Sequence, residues 1–150
     1  MEVVHGDLAG LHDLLHPDAV LHSPVLFRPQ AGRDVVAMYL TAAAGAFAGV
    51  GPAAPDPAPD ESTEHVTPDG TPWDGHFRYV GRVTDDRCAV LEFETTLGGS
   101  YVNGVDMITC DADGRITDFK VMVRPLRAVE AVREQMMATL ERMNVGQTAP

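Results

Sequence analysis

The sequence has few basic residues and no long apolar run. Only 11 of its 150 residues are Lys or Arg, against 22 Asp or Glu, and the net charge is −11. Nucleic acids and anionic membranes attract basic patches, so this balance argues against both as partners. No apolar segment approaches the roughly 20 residues that a membrane-spanning helix needs. The first residues, 1–5, do not resemble a signal peptide, and the sequence therefore predicts a cytoplasmic protein.

Cysteine is also scarce, and neither cysteine has a partner at metal-binding spacing. Cys88 and Cys110 form no CxxC motif, and the alternation of the strands that hold them places the two side chains on opposite faces. The histidines lack the spacing of zinc or iron ligands as well. We therefore expect free thiols, no metal and no cofactor.

The length and a hydrophobic content of 45% predict one domain, 1–150, with a real core. Proline and small residues make 49–75 a predicted loop, and an apolar stripe makes 126–143 a predicted C-terminal helix. Further helices are predicted at 8–15, behind Asp7 as N-cap, and at 35–48, and strands at 19–23, 76–80, 89–95 and 116–123. Helices followed by a meander of strands predict an α+β fold, in which a curved, mostly antiparallel sheet wraps around helices as a cone-shaped barrel.

One carboxylate stands out within this pattern. Gly98 and Gly99 can adopt the positive φ angles of a hairpin turn, and pairing the strands about them sets Phe93 opposite Gly104 and Leu91 opposite Asp106. Asp106 then shares a face with apolar residues. A carboxylate in such a place must be paired, solvated by a cavity or protonated, because burying an isolated charge costs several kcal/mol or more.

The inside of the predicted cone can hold a ligand. The apolar residues assigned to the inner face make a small, largely apolar molecule the expected partner. The predicted ligand-binding residues are Leu21, Leu91, Phe93, Val102, Ile108, Phe119, Val121 and Val123.

Several segments resemble the SnoaL-like and nuclear transport factor 2-like superfamily, which includes steroid Δ-isomerases, polyketide cyclases and limonene epoxide hydrolase. The matching segments cover about two thirds of the chain. They are 6–15, 18–24 with Gly32, Phe93-Glu94, Val105-Asp106, 113–116 and 121–125. The resemblance implies a cone-shaped α+β domain that forms a homodimer through the other face of its sheet.

The resemblance also implies catalytic roles. Asp106 falls where steroid isomerases keep a protonated aspartic acid that donates a hydrogen bond to the substrate. Ser23 stands where that family has its carboxylate base, with His22 as the nearest group that could activate the hydroxyl. The family's first helix supplies a pocket tyrosine. Almost no chain precedes Gly6, so Tyr39 is the candidate replacement for that tyrosine. The family's first helix also helps to close the mouth of the cone. Either the C-terminal helix takes over this role, or the native chain starts upstream.

These observations favour a small-molecule-binding domain that acts as a cofactor-independent acid-base isomerase, cyclase or hydrolase on a largely apolar substrate. The alternative is a non-catalytic ligand-binding or dimerisation module. A scaffold whose cone is filled by its own side chains is a third hypothesis. We further expect the C-terminal helix to cover the mouth of its own cone or of a partner's.

Overall fold

The computed structural model describes residues 8–47 and 65–145. The predicted N-cap Asp7 and most of the predicted proline-rich loop lie outside these ranges. The helices are α1 (Leu8–Leu14), α2 (Arg33–Phe47) and α3 (Leu126–Val145). The strands are β1 (Leu15–His22), β2 (Gln30–Ala31), β3 (His65–Val66), β4 (Pro72–Trp73), β5 (Arg78–Thr84), β6 (Cys88–Leu97), β7 (Ser100–Cys110) and β8 (Ile116–Arg124).

Six strands form one curved sheet in the order β2-β1-β8-β7-β6-β5. Neighbouring strands are antiparallel except β1 and β8, which run parallel. Helices α2 and α3 pack against the inner face, where their apolar sides meet the alternating apolar residues of the strands. The predicted α+β cone is confirmed.

The β6–β7 hairpin has the predicted register. Phe93 lies opposite Gly104, and Leu91 lies opposite Asp106. The turn residues Gly98 and Gly99 have φ angles of 55° and 80°, which residues with a side chain adopt at a cost. Because side chains alternate along a strand, this register fixes which residues of both strands face the helices.

Gly104 is needed because the ring of Phe93 lies across its backbone. A Cβ atom at this position would lie 2.3 Å from Cζ of Phe93 and 2.8 Å from the carbonyl oxygen of Met122. Both distances are far below van der Waals contact, and the Met122 oxygen belongs to the backbone of β8. Glycine therefore lets the Phe93 ring lie close to the sheet.

Two segments differ from the sequence predictions. The predicted loop at 49–75 contains the β3–β4 hairpin. The backbone nitrogen of Thr71 closes its turn by donating hydrogen bonds to Oγ1 of Thr67 at 3.0 Å and to Oδ1 of Asp69 at 3.2 Å. Short polar side chains thus supply structure where apolar content is low. Strand β1 begins at Leu15, earlier than predicted, and its pairing with β8 is irregular around Pro17, which has no N–H to donate.

A buried ion pair on the outer face of the sheet holds the chain that leads into β5. Glu94 is only 6% exposed, and its Oε1 accepts a hydrogen bond from Nε of Arg78 at 2.7 Å. Its other carboxylate oxygen accepts one from the hydroxyl of Tyr101 at 2.8 Å. The Trp73 ring lies 5.4 Å from the Arg78 guanidinium carbon, within cation–π range. These contacts satisfy a carboxylate that would otherwise be costly to bury.

Helix α3 covers the cone of its own chain. Its residues Ala128, Val132 and Met136 are buried in one cluster with Phe93 and Val102 of the sheet. The C-terminal helix therefore packs on the sheet of its own chain. Within the described ranges, none of the helices is long and apolar enough to cross a membrane.

Replacing Gly104 should destabilise the fold. Gly104→Ala is expected to lower the free energy of unfolding by about 1–3 kcal/mol, because the new methyl group displaces Phe93 or the β8 backbone. Chemical denaturation with urea measures this change. Gly81→Ala is the matched control, since a Cβ there meets the movable carboxylate of Glu92 at 3.0 Å. An equal loss in both variants would contradict the argument from the Phe93 ring.

Candidate functional site

A cavity opens between the inner face of the sheet and helices α2 and α3. The space between these elements is about 700 Å³, a volume that includes open solvent at the mouth, and about 70 Å³ of it can hold the centre of a water molecule. A single water needs about 10–15 Å³ by that measure, so the cavity admits several waters or a small ligand. The lining is apolar except for Ser23, Tyr39 and Asp106. The other lining residues are Leu21, Pro24, Leu40, Ala43, Ala44, Phe47, Phe77, Phe93, Phe119, Val121, Val132 and Met136.

Asp106 is the one charged group among these lining residues. Its side chain is 8% exposed, and no Lys, Arg or His of the described ranges forms an ion pair with it. Burial in an apolar wall withholds water from the carboxylate and raises its pKa from 3.8 to about 7. Asp106 therefore exchanges its proton near neutral pH and can act either as a hydrogen-bond donor or as a base.

Tyr79 is a second titratable group on the inner face, and the sequence analysis did not select it. It lies opposite Phe93 in the β5–β6 ladder, just before the irregularity at Val80. Its ring packs edge-on against Phe77, with centroids 5.2 Å apart. Burial, and secondly the negative charge of Asp106, raise the pKa of the Tyr79 hydroxyl above its usual range. The phenol therefore stays protonated beside the carboxylate.

Ser23 and Tyr39, two of the candidate catalytic residues, line the cavity together with Asp106. Ser23 follows β1, and its Oγ accepts a hydrogen bond from the backbone nitrogen of Val25 at 3.2 Å. Tyr39 projects from α2 and contacts both apolar clusters of the core. The structure thus brings two residues that carry hydroxyl groups to the cavity that Asp106 lines.

His22 is not brought to the cavity. Its Nε2 lies 3.1 Å from Oδ1 of Asp118 on the neighbouring strand β8. Leu21 lines the cavity, and the next side chain along β1 points to the opposite face because strand residues alternate. His22 therefore cannot activate Ser23 in this arrangement.

The predicted ligand-binding residues divide into two groups. Four of them line the cavity, namely Leu21, Phe93, Phe119 and Val121. Leu91, Val102 and Ile108 are buried in the core behind it, and Val123 packs half-buried against one core cluster. The second group belongs to the core around the cavity and is not among its lining residues.

The sequence analysis missed an aromatic wall. Phe77 stacks on Phe93 with centroids 5.1 Å apart, and Phe47 meets Phe93 edge-on at 5.6 Å. Phe47 ends α2, and Phe77 follows β4, so segments far apart in the chain build this wall. Helical spacing already placed Met136 on the apolar stripe of the C-terminal helix, but no local pattern identifies Phe77 as a cavity residue.

The described residues contain no group of three or more His, Cys, Asp or Glu side chains that could hold a metal ion. Cys88 and Cys110 are both free thiols. Burial, followed by the charge of Asp111, raises the pKa of the Cys110 thiol, so it has little thiolate character. Among the lining residues of the described chain, the polar side chains are those of Ser23, Tyr39 and Asp106.

Asp106 should make stability fall as pH rises. Because its pKa is about 7 in the folded chain and 3.8 ordinarily, the stability it contributes is present below about pH 4 and is lost as pH rises through 7. The difference between the two pKa values corresponds to a loss of about 4 kcal/mol in the free energy of unfolding. Asp106→Asn should therefore stabilise the protein by about 2–4 kcal/mol at about pH 8 relative to wild type, with a smaller gain at low pH.

Thermal and urea unfolding across this pH range measure the effect. Asp113→Asn, on an exposed turn, changes the net charge equally and is the matched control. Equal stability changes in the two variants at about pH 8 would show that Asp106 is well solvated.

No protein-family model and no curated protein matches the chain. Among solved structures, a steroid delta-isomerase from Pseudomonas aeruginosa is 35% identical, with a TM-score of 0.72 over 93% of this chain and 83% of that chain. An uncharacterised protein with a cystatin-like fold from Silicibacter pomeroyi is 29% identical, with a TM-score of 0.68 over 91% and 77% of the two chains.

A nuclear transport factor 2-like protein of unknown function from Mesorhizobium loti is 18% identical, with a TM-score of 0.55 over 79% of each chain, and is similar in fold. The identity to the Pseudomonas isomerase, over most of both chains, shows more than a common fold. With its cone-shaped sheet and the apolar cavity described above, the chain belongs to the SnoaL-like, nuclear transport factor 2-like superfamily.

Proposed function

We propose that this protein binds a small, largely apolar molecule in its cone and catalyses an isomerisation or cyclisation by acid-base chemistry without a cofactor. Asp106 is the principal catalytic group. Ser23 and Tyr39 contribute hydroxyl groups beside it. The proposal extends to this chain what the Pseudomonas relative is described as, a steroid delta-isomerase, without carrying over its substrate.

The observation that carries the proposal is the position of Asp106 in an apolar cavity. Its pKa of about 7 suits a group that must give and take a proton near neutral pH. In its protonated form it can donate a hydrogen bond to a ligand oxygen on which negative charge develops. Such a bond strengthens as the charge grows, and it is worth most where water is excluded.

The surroundings of Asp106 limit the reaction. Asp106 is the only carboxylate among the cavity-lining residues of the described chain, and His22 pairs with Asp118 on the other face. A mechanism that needs two carboxylates or an activated serine is therefore not proposed. A substrate with one polar oxygen and an otherwise apolar body would match this lining.

The proposal predicts a high pKa for Asp106 and a loss of turnover when it is replaced. Carbon-detected NMR titration of the carboxyl group should give a pKa of about 7, with the Asp106→Asn variant assigning the signal. Apolar ketones with a movable double bond are the first substrates to screen, by the ultraviolet absorbance of the conjugated product. In that assay Asp106→Asn should lower kcat by about 100-fold or more.

Asp113→Asn should leave both the titration and the turnover unchanged. A pKa near 4 for Asp106 would remove the basis of the acid-base mechanism. Ligand binding without turnover, and with little change in Asp106→Asn, would instead favour the non-catalytic binding module.

We also propose that the chain forms a homodimer through the outer face of its sheet. Five apolar side chains make a continuous outer patch across β5 to β8, namely Val83, Val90, Val105, Met107 and Met122. Of these, Val83 is 71% exposed and Met122 is 52% exposed. Contiguous apolar surface of this kind is typical of protein interfaces, and the same patch on a second copy would bury it.

The cytoplasmic location remains a prediction.

Sedimentation velocity tests the dimer. The wild-type protein should sediment as a dimer, and Met122→Glu should shift it to a monomer because a charge within the outer patch would lose its water in the interface. Leu126→Glu is the control, since Leu126 is 73% exposed at the start of α3, beyond the strands. A monomeric wild type, or dissociation by both variants alike, would refute the proposed interface.

A further inference from the structure

The only ionisable charge that the described lining residues give the cavity is negative. Asp106 contributes a carboxylate, and no Lys, Arg or His is among the lining residues of the described chain. An anionic ligand would therefore meet a like charge without any compensating group. A neutral ligand can bind when Asp106 is protonated. A cation would supply the opposite charge that no Lys, Arg or His of the described residues brings to Asp106 through an ion pair.

Folding has already removed most of the water from this carboxylate. The side chain is 8% exposed, so the unfavourable step of desolvating the anion does not recur when a ligand enters. A buried ion pair gains little overall when both partners must lose their water on association. In this cavity only the ligand still has to lose its water, so formation of the ion pair is more favourable.

The walls also suit a positive charge. The rings of Phe47, Phe77 and Phe93 contact one another, and all three border the cavity together with Phe119. Aromatic faces carry negative potential and attract ammonium groups, more strongly where water is excluded. The same rings offer apolar surface to the body of the ligand. An apolar body with one cationic group would thus find both of its parts matched.

The field of the whole chain acts in the same direction. The net charge of −11 raises the concentration of small cations near the surface and lowers that of anions. This contribution is long-ranged and is screened by salt. A contact with Asp106 inside the cavity is screened much less, so the two contributions can be separated by experiment.

We infer that the cavity binds a small hydrophobic cation: a protonated amine whose ammonium group pairs with Asp106 and whose apolar body lies against the Phe47, Phe77 and Phe93 wall. This inference rests on the proposed ligand pocket, and it names a ligand class beyond the neutral oxygen compounds considered above. In an enzyme of the proposed kind, such an amine would compete with the substrate.

The titratable groups that face Asp106 are few. Strand β5 contributes Tyr79 and Arg82, and Arg82 lies opposite Leu91 on the same face but is exposed. Helix α2 contributes Tyr39, while the lining residues of α3 and of the neighbouring strands are apolar. Glu94 and Arg78 pair with each other on the outer face. The pH dependence of binding near neutrality should therefore report Asp106 itself.

Three ligands with the same ring separate the alternatives: cyclohexylamine as the cation, cyclohexanone as the neutral acceptor and cyclohexanecarboxylate as the anion. Their affinities would be measured by calorimetric titration from about pH 5.5 to about pH 8.5, where an aliphatic amine stays protonated. Binding of the amine should tighten by about 30-fold over this range as Asp106 ionises. Binding of the ketone should weaken by a similar factor, and the carboxylate should not bind.

Asp106→Asn keeps the shape and removes the charge. In this variant the amine should lose its tight binding, while the ketone should keep its affinity and lose its pH dependence. Asp113→Asn should behave as wild type. Raising the salt concentration should weaken amine binding to wild type and to Asp113→Asn by the same small factor.

Other outcomes are equally decisive. Amine affinity that is unchanged in Asp106→Asn would assign the binding to the general negative charge and overturn the inference. Ketone binding with the expected pH dependence, but no amine binding, would overturn the inference and leave the proposed function standing. If none of the three ligands binds at any pH, the inference and the proposed ligand pocket both fail.

Discussion

The contact between the ring of Phe93 and the backbone of Gly104 is the constraint on which the site depends. It requires glycine at one position of β7, and the register that creates it also sets Asp106 on the inner face. A shift by one residue would turn Asp106 outward and an exposed neighbour inward. Phe77 then stacks on Phe93 and Phe47 closes against both rings. The aromatic wall and the position of the acid thus follow from one strand pairing.

Among the described residues, each face of the sheet holds one buried carboxylate, paired on the outer face and without an ion pair on the inner face. The adjacent residues Phe77 and Arg78 link the two sites. On the outer face, Arg78 and Tyr101 satisfy the buried carboxylate of Glu94. On the inner face, no ion pair satisfies Asp106 in the described part of the chain, and burial alone raises its pKa. Because Arg78 adjoins Phe77, the outer ion pair also anchors the residue that borders the cavity. The ion pair of Glu94 with Arg78 therefore supports the cavity that contains Asp106.

In the proposed function, the low hydration of Asp106 links stability, acid-base chemistry and ligand recognition. Dehydrating this carboxylate costs the fold free energy above neutral pH, and the same dehydration would give the group its proposed acid-base role near pH 7. It would also favour the cationic ligand inferred above. Glu94, whose carboxylate has a partner within the chain, would offer neither property. Under the proposal, the two acids differ in pairing rather than in burial.

Sequence alone determined the hairpin register, the inward position of Asp106 and the type of most elements, because alternation along strands and periodicity along helices are local properties. The same alternation along β1 also turns His22 away from the face that lines the cavity. Only the tertiary structure decided that Phe47, Phe77 and Met136 border the cavity and that Leu91, Val102 and Ile108 lie behind it. It also decided the pKa of Asp106. These properties depend on how much water and which distant side chains surround an atom. Packing between segments that are far apart in the sequence determines those surroundings, and local sequence patterns do not show which segments pack together.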